Sequence, residues 1–108
     1  MVVPLYYEEF FEPIKDWPNY AVSSYGTVIN LKTGKELKPV LNAAGHLIVR
    51  LSKKSRRVSF KVHRLVAQAF FLNYDEQSIV RHKNGIKTDN TVLNLTIKSQ
   101  KGKHDRPH

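Results

Sequence analysis

The strongest constraint on this chain is a change of period at Val62. In HLIVRLSKKSRRVSFKV, residues 46–62, the apolar side chains alternate: Leu47, Val49 and Leu51 share one face, and Val58, Phe60 and Val62 share one face of the return run, with Ser59 and Lys61 opposite. A period of two predicts an antiparallel hairpin with one buried face. From Val62 the spacing turns helical. In VHRLVAQAFF, residues Val62, Leu65, Val66, Ala69 and Phe70 fall at i, i+3, i+4, i+7 and i+8, the stripe of a helix laid on a sheet. Asn73 is expected to end it.

Around this centre the signals are shorter. Tyr6 to Asn19, with aromatics, acids, Pro13 and Pro18, reads as an irregular lead-in with one short helical turn. Trp17, Tyr20 and Val22 are expected in the core. TVINLKTGKELKP predicts an earlier hairpin, Thr27–Leu31 and Lys35–Leu37 around Lys32-Thr33-Gly34, with Pro39 closing it. After the helix, Ser78–His82 is a short strand, Lys83–Thr88 a loop turning at Asn84-Gly85, and Thr96–Lys98 the returning strand. Ser99 is placed to cap a last, short helix, since Gly102 and Pro107 work against a long one. The expectation is an α+β fold: antiparallel β-hairpins, then a helix and a ββα-like unit, in one small domain of 108 residues.

Charge narrows the partner. Residues 1–40 carry four basic and five acidic side chains, residues 41–108 fourteen basic and four acidic, so −1 against +10. A surplus on that scale favours a polyanion through counterion release and long-range attraction. Lys53, Lys54, Arg56 and Arg57 crowd the hairpin loop Ser52–Arg57, a pattern suited to phosphate contacts. With no cysteine in the chain, disulfides and thiolate zinc sites are excluded. The N-terminus MVVPLYYEEF lacks the basic start and apolar run of a signal peptide. A cytoplasmic protein of a phage-infected or bacterial cell, away from membranes, is expected.

The stretch IVRHKNGIKTDNTVLNL, residues 79–95, carries the chemistry. A neutral histidine serves as general base when an acceptor fixes its second ring nitrogen, and an asparagine carbonyl is such an acceptor. His82 ends a strand and Asn94 follows twelve residues on. A ββ return would bring them together.

VHRLVAQAF followed by IVRHKNGIKTDNTVLNL resembles the HNH endonucleases of phages and mobile introns, whose cutting unit is a ββα-metal motif. Upstream, DWPNYAVSSYGTVIN, GKELKPV and GHLIVRLS resemble the NUMOD4 module that often precedes this unit. The resemblance implies a NUMOD4-like DNA-binding segment over residues 1–60 and an HNH-like nuclease segment over 61–108. It implies hydrolysis of double-stranded DNA with His82 as base, Asn94 orienting it, Asn90 holding the loop, and one divalent ion, Mg2+ or Mn2+. His63 and Arg64 become framework or phosphate-facing residues. Where the family places metal ligands, this chain has Arg81 and Lys103, and a guanidinium has no lone pair for a metal. His104 and Asp89 are the replacement candidates. The same departures support an alternative: a catalytically degenerate HNH fold that binds nucleic acid, or a host nucleic-acid or defence protein, without cleaving. On either reading Lys53, Lys54, Arg56, Arg57, Arg64, Arg81, Lys83 and Lys103 face nucleic acid, and the protein acts as a monomer or homodimer.

Overall fold

The computed structural model describes residues 8–99. In chain order these form β1 Phe11–Ile14, β2 Trp17–Ser23, β3 Val28–Asn30, β4 Val40–Leu41, β5 Leu47–Lys53, β6 Arg56–Lys61, α1 Val62–Phe70, β7 Ile79–His82 and β8 Leu95–Lys98, with one 3-10 turn at Val92–Asn94. The strands pair antiparallel in three small sheets, β1-β2-β3, β4-β5-β6 and β7-β8. The fold is α+β.

The change of period becomes the junction between β6 and α1. Lys61 is extended and makes no side-chain cap, so capping does not start this helix. Its apolar stripe does: Val62, Leu65 and Val66 are buried against the sheets and Ala69 and Phe70 half-buried on the core, with Ala67, off the expected stripe, buried as well. Fully burying one such aliphatic side chain stabilises by about 1.5–3 kcal/mol, more than a cap contributes. The helix stops at Phe70 rather than Asn73, because Phe71 is extended with its N–H turned back to the Ala67 carbonyl.

One hydrophobic core serves the whole described chain. Ile14, Trp17, Tyr20, Val22 and Val28 come from the first sheet, Val49 and Leu51 from the second, Leu65 and Val66 from α1, and Val92 and Leu95 from the last segment. Helix α1 touches β1, β2, β5, β6, β7 and β8. The segments expected on either side of residue 60 therefore share a core.

Three expectations need correction. The lead-in is not irregular: Phe11–Ile14 pairs with β2, with a register shift between Pro13 and Ile14 and a turn carrying Asp16 at φ 68. Proline is tolerated on an edge strand or at a bulge, which is where Pro13 lies. The earlier hairpin returns only through the Ile29–Glu36 bridge, while β3 pairs on its other edge with β2. The cationic loop is tighter than Ser52–Arg57: pairing runs up to Lys53 opposite Arg56. Only Lys54 and Ser55 turn, at φ 49 and 68, the double left-handed geometry of a two-residue type I′ hairpin. The final helix expected after Ser99, with Lys103 and His104, lies outside the described residues. Among the described residues, no helix is long and apolar enough to cross a membrane.

Candidate active site

The β7–β8 return sets the site. His82 closes β7 opposite Leu95, the first residue of β8, and the chain between them runs through a loop built from its own side chains. Asn84 is the hub. Its backbone N–H donates to Asn94 Oδ1 at 3.1 Å, its Oδ1 accepts from Ile86 N at 2.9 Å and from Asn94 Nδ2 at 2.9 Å, and its Nδ2 donates to Asp89 Oδ2 at 3.0 Å. Asn94 Nδ2 also donates to the Asp89 carbonyl at 2.8 Å. Short amide side chains bond nearby backbone readily, so an Asn-rich stretch can hold a long loop without a core of its own.

His82 and its partner are placed by this loop. His82 Nε2 donates to Asn90 Oδ1 at 2.7 Å, and Asn90 is only 4 % exposed. Because an amide oxygen only accepts, the bond puts the proton on Nε2 and leaves the Nδ1 lone pair as the basic one. The sequence reading gave the orienting role to Asn94 and the loop to Asn90. In the structure the two exchange: Asn90 bonds the ring and Asn94 latches the loop. The reason is reach. Asn94 sits beside the strand end, where its amide meets Asn84 and Asp89, whereas Asn90 faces inward.

Two further histidines lie against His82. His63, near the start of α1, is 5.1 Å from it ring to ring, and His46, entering β5, is 6.0 Å away and stacks on His63 at 4.6 Å. Residues 42–46 form a turn in which Asn42 Oδ1 accepts from Ala44 N and His46 N, bringing His46 over the helix start. His63 is 5 % exposed, and burial first, then the neighbouring His46 and His82, lower its pKa to about 4. Burial, followed by Lys87 and Lys61, also lowers that of His46. Both are neutral rings at pH 7. The Nδ1 atoms of His46 and His63 are buried without a hydrogen-bond partner among the described residues. Sequence reasoning missed His46; only its place before an alternating run could have pointed to it.

The other candidates fall into separate groups. Arg64 does not face outward: its guanidinium donates to the Ser78 carbonyl, the Tyr74 hydroxyl and the Glu76 carbonyl, each at 3.0 Å. It clamps the 74–78 loop to α1. Lys53 reaches back over the Trp17 ring, 4.4 Å from its centroid, and donates to the Asp16 carbonyl. Lys54, Arg56, Arg57, Arg81 and Lys83 are exposed, the first three on the hairpin tip and the last two flanking His82. Asp89 is engaged at both oxygens, by the Thr91 hydroxyl at 2.9 Å and the Asn84 amide. The Thr91 bond is the main cause that lowers its pKa. His104 and Lys103 lie outside the described residues.

A family model described as the NUMOD4 motif matches residues 9–52. DNA endonuclease I-HmuI of Bacillus phage SP01 is 40% identical over 83 residues, 77% of this chain and 48% of that protein. The H-N-H endonuclease F-TflII of Escherichia phage T5 is 32% identical over 91 residues, 82% of this chain and 47% of that one. A solved structure described as DNA binding and cleavage by the HNH homing endonuclease I-HmuI superposes with a TM-score of 0.78 at 36% identity, over 89% of this chain and 56% of that chain. The chain thus spans about half the length of these relatives. In sequence and in fold it is a relative of the phage HNH homing endonucleases, with a NUMOD4 motif in its N-terminal part.

Proposed function

We propose that this chain is an HNH-type DNA endonuclease unit in which His82 is the general base. The observation that carries the reading is the His82–Asn90 bond at 2.7 Å on the β7–β8 return. The Nδ1 lone pair takes a proton from a water molecule, the resulting hydroxide forms a bond to phosphorus, and one ester oxygen leaves with the electron pair of the broken P–O bond. Arg81 and Lys83, flanking the base, hold the phosphate as charge-assisted donors. Lys54, Arg56 and Arg57 contact the duplex backbone from the β5–β6 tip.

HNH endonucleases in general depend on a divalent ion. The described residues do not fit one: Asp89 has both oxygens engaged, and Arg81 stands next to the base with no lone pair to offer. Among the described residues, no three His, Cys, Asp or Glu side chains are placed to hold a metal. That observation favours a second reading, a degenerate fold that binds nucleic acid, or a host protein, without cutting it.

Supercoiled plasmid separates the two. Nicking by the purified chain in Mg2+ or Mn2+ that falls by about 10²–10⁴-fold in His82→Ala, with DNA affinity in gel shift unchanged, is the result expected of the first reading, and its loss in chelator would place the ligands of the ion outside the described residues. Full activity in His82→Ala removes the assignment of the base; a retained gel shift with no nicking by the wild type moves the conclusion to the second reading.

A further inference from the structure

Outside the His82 loop, the N-terminal segment approaches the site at Gly26, in the turn between β2 and β3. This turn is locked from within. Ser23 Oγ accepts from Tyr25 N and Thr27 N, both at 3.1 Å, and donates to Glu9 Oε2 at 2.7 Å. Ser24 exchanges backbone and side-chain bonds with Phe10 and Glu8 at 2.8–3.0 Å. Ser23 and Ser24 are fully buried. The Ser24 carbonyl is thereby aimed at the β7–β8 loop, where it accepts from Val92 N at 2.8 Å.

Two residues on, Gly26 has φ +92, a conformation that side chains rarely adopt. A Cβ at this position would lie 3.1 Å from Asn90 Cβ and 3.2 Å from the Asn90 carbonyl oxygen. Carbon pairs pack at about 3.5–4.0 Å, so the loop backbone rests on the bare Cα of Gly26. Asn90 has little freedom to retreat. Its neighbour Asp89 is tied to Asn84 and Thr91, Val92 is bonded to Ser24, and its own amide is aimed at His82.

We propose that Gly26 is a positioning residue for the candidate site: by seating Asn90 against the β2–β3 turn, it sets the bond that fixes the His82 ring. The inference rests on the reading of His82 as base. It gives the segment matched as NUMOD4 a task at the candidate site, since one of its turns forms the back wall of the pair His82 and Asn90.

The test is the tautomer of His82, read from two-bond 1H–15N couplings in the labelled protein, together with plasmid nicking. The wild type is expected to show the Nε2–H form. Gly26→Ala is expected to mix the tautomers and to lower kcat on the order of 10²-fold, with KM for plasmid unchanged. In an Asn90→Ala background the same substitution should slow nicking no further. Because alanine is also strained at φ +92, Val92→Pro reads the same seat independently. Thr91 is extended and Val92 opens the 3-10 turn, positions that suit a residue before proline and proline itself, while the N–H to Ser24 is removed.

A wild-type tautomer or an undiminished kcat in both variants overturns the proposal, even when nicking depends on His82. A wild type that does not nick, yet loses the Nε2–H form in both variants, leaves the positioning in place and removes the base assignment instead.

Discussion

The β5–β6 turn and the β7–β8 loop both join antiparallel strands, and they do so by opposite means. The first closes in two residues, Lys54 and Ser55, with both φ angles positive. Backbone geometry makes that turn, so the side chains of Lys54, Arg56 and Arg57 are left for a partner. The second runs from Lys83 to Asn94 and is shaped by side chains: Asn84, Asp89, Asn90, Thr91 and Asn94 all bond within it or to His82. A surface whose shape is set by backbone can change its charges and keep its form. A loop whose shape is set by amides cannot lose one without moving what it positions.

The largest test of the contrast loads the floor of the long loop with charge. His63 has its pKa lowered to about 4, from an ordinary value of 6.5. Between those values the unfolded chain takes up a proton that the folded chain refuses, so stability is full above pH 6.5 and falls as pH drops toward 4. The shift corresponds to about 3 kcal/mol, and His46 adds in the same direction. Urea midpoints at about pH 7.5 and about pH 4.5, on either side of the ordinary histidine value, should differ accordingly, and His63→Gln should flatten the difference. An equal pH slope in that variant would mean the charge does not reach the floor.

Next in size is the latch. Asn94→Ala removes three hydrogen bonds, to Asn84 N, Asn84 Oδ1 and the Asp89 carbonyl. It should lower unfolding free energy by about 1–3 kcal/mol, measured by denaturant titration, and slow nicking. A variant as stable as the wild type would show that the amides decorate a loop held by something else.

The smallest effect on stability is expected at the tip. Neutralising Lys54, Arg56 and Arg57 together should change unfolding free energy by no more than about 0.5 kcal/mol. It should also reduce the slope of log K against log salt by about 0.9 for each phosphate that the tip ceases to neutralise. Binding measured between about 50 and 200 mM salt, where phosphate contacts change affinity most visibly, decides it. An unaltered slope makes the tip a solvated turn only.

Much of the fold was legible because it rests on periodicity. The alternating runs became β5 and β6, the helical stripe became α1, and the short apolar runs near His82 and Lys98 became β7 and β8. Strand β1 was hidden by its prolines, which argue against a central strand and do not argue against an edge. The candidate site was half legible. His82 stood out by its place at a strand end, and the cationic tip by its density. The resemblance offered Arg64 as a framework or a phosphate-facing residue, and its guanidinium, with five donors, is taken up by three oxygens of the 74–78 loop.

By itself the sequence determined the β5–β6 hairpin, helix α1 and the β7–β8 return in their order, the basic C-terminal side, the histidine at the end of β7 and the family it is related to. These follow from local spacing and from residue identity, which the chain carries at every point. Tertiary structure alone decided that Asn90 rather than Asn94 meets the His82 ring, that His46 and His63 lie against it, and that Gly26 backs Asn90. The first is settled by the bonds within one loop, eight residues apart, and the others are distances between residues far apart in sequence, such as 26 and 90 or 46 and 82. They exist only once a shared core has brought β2, β5, α1 and β7 together.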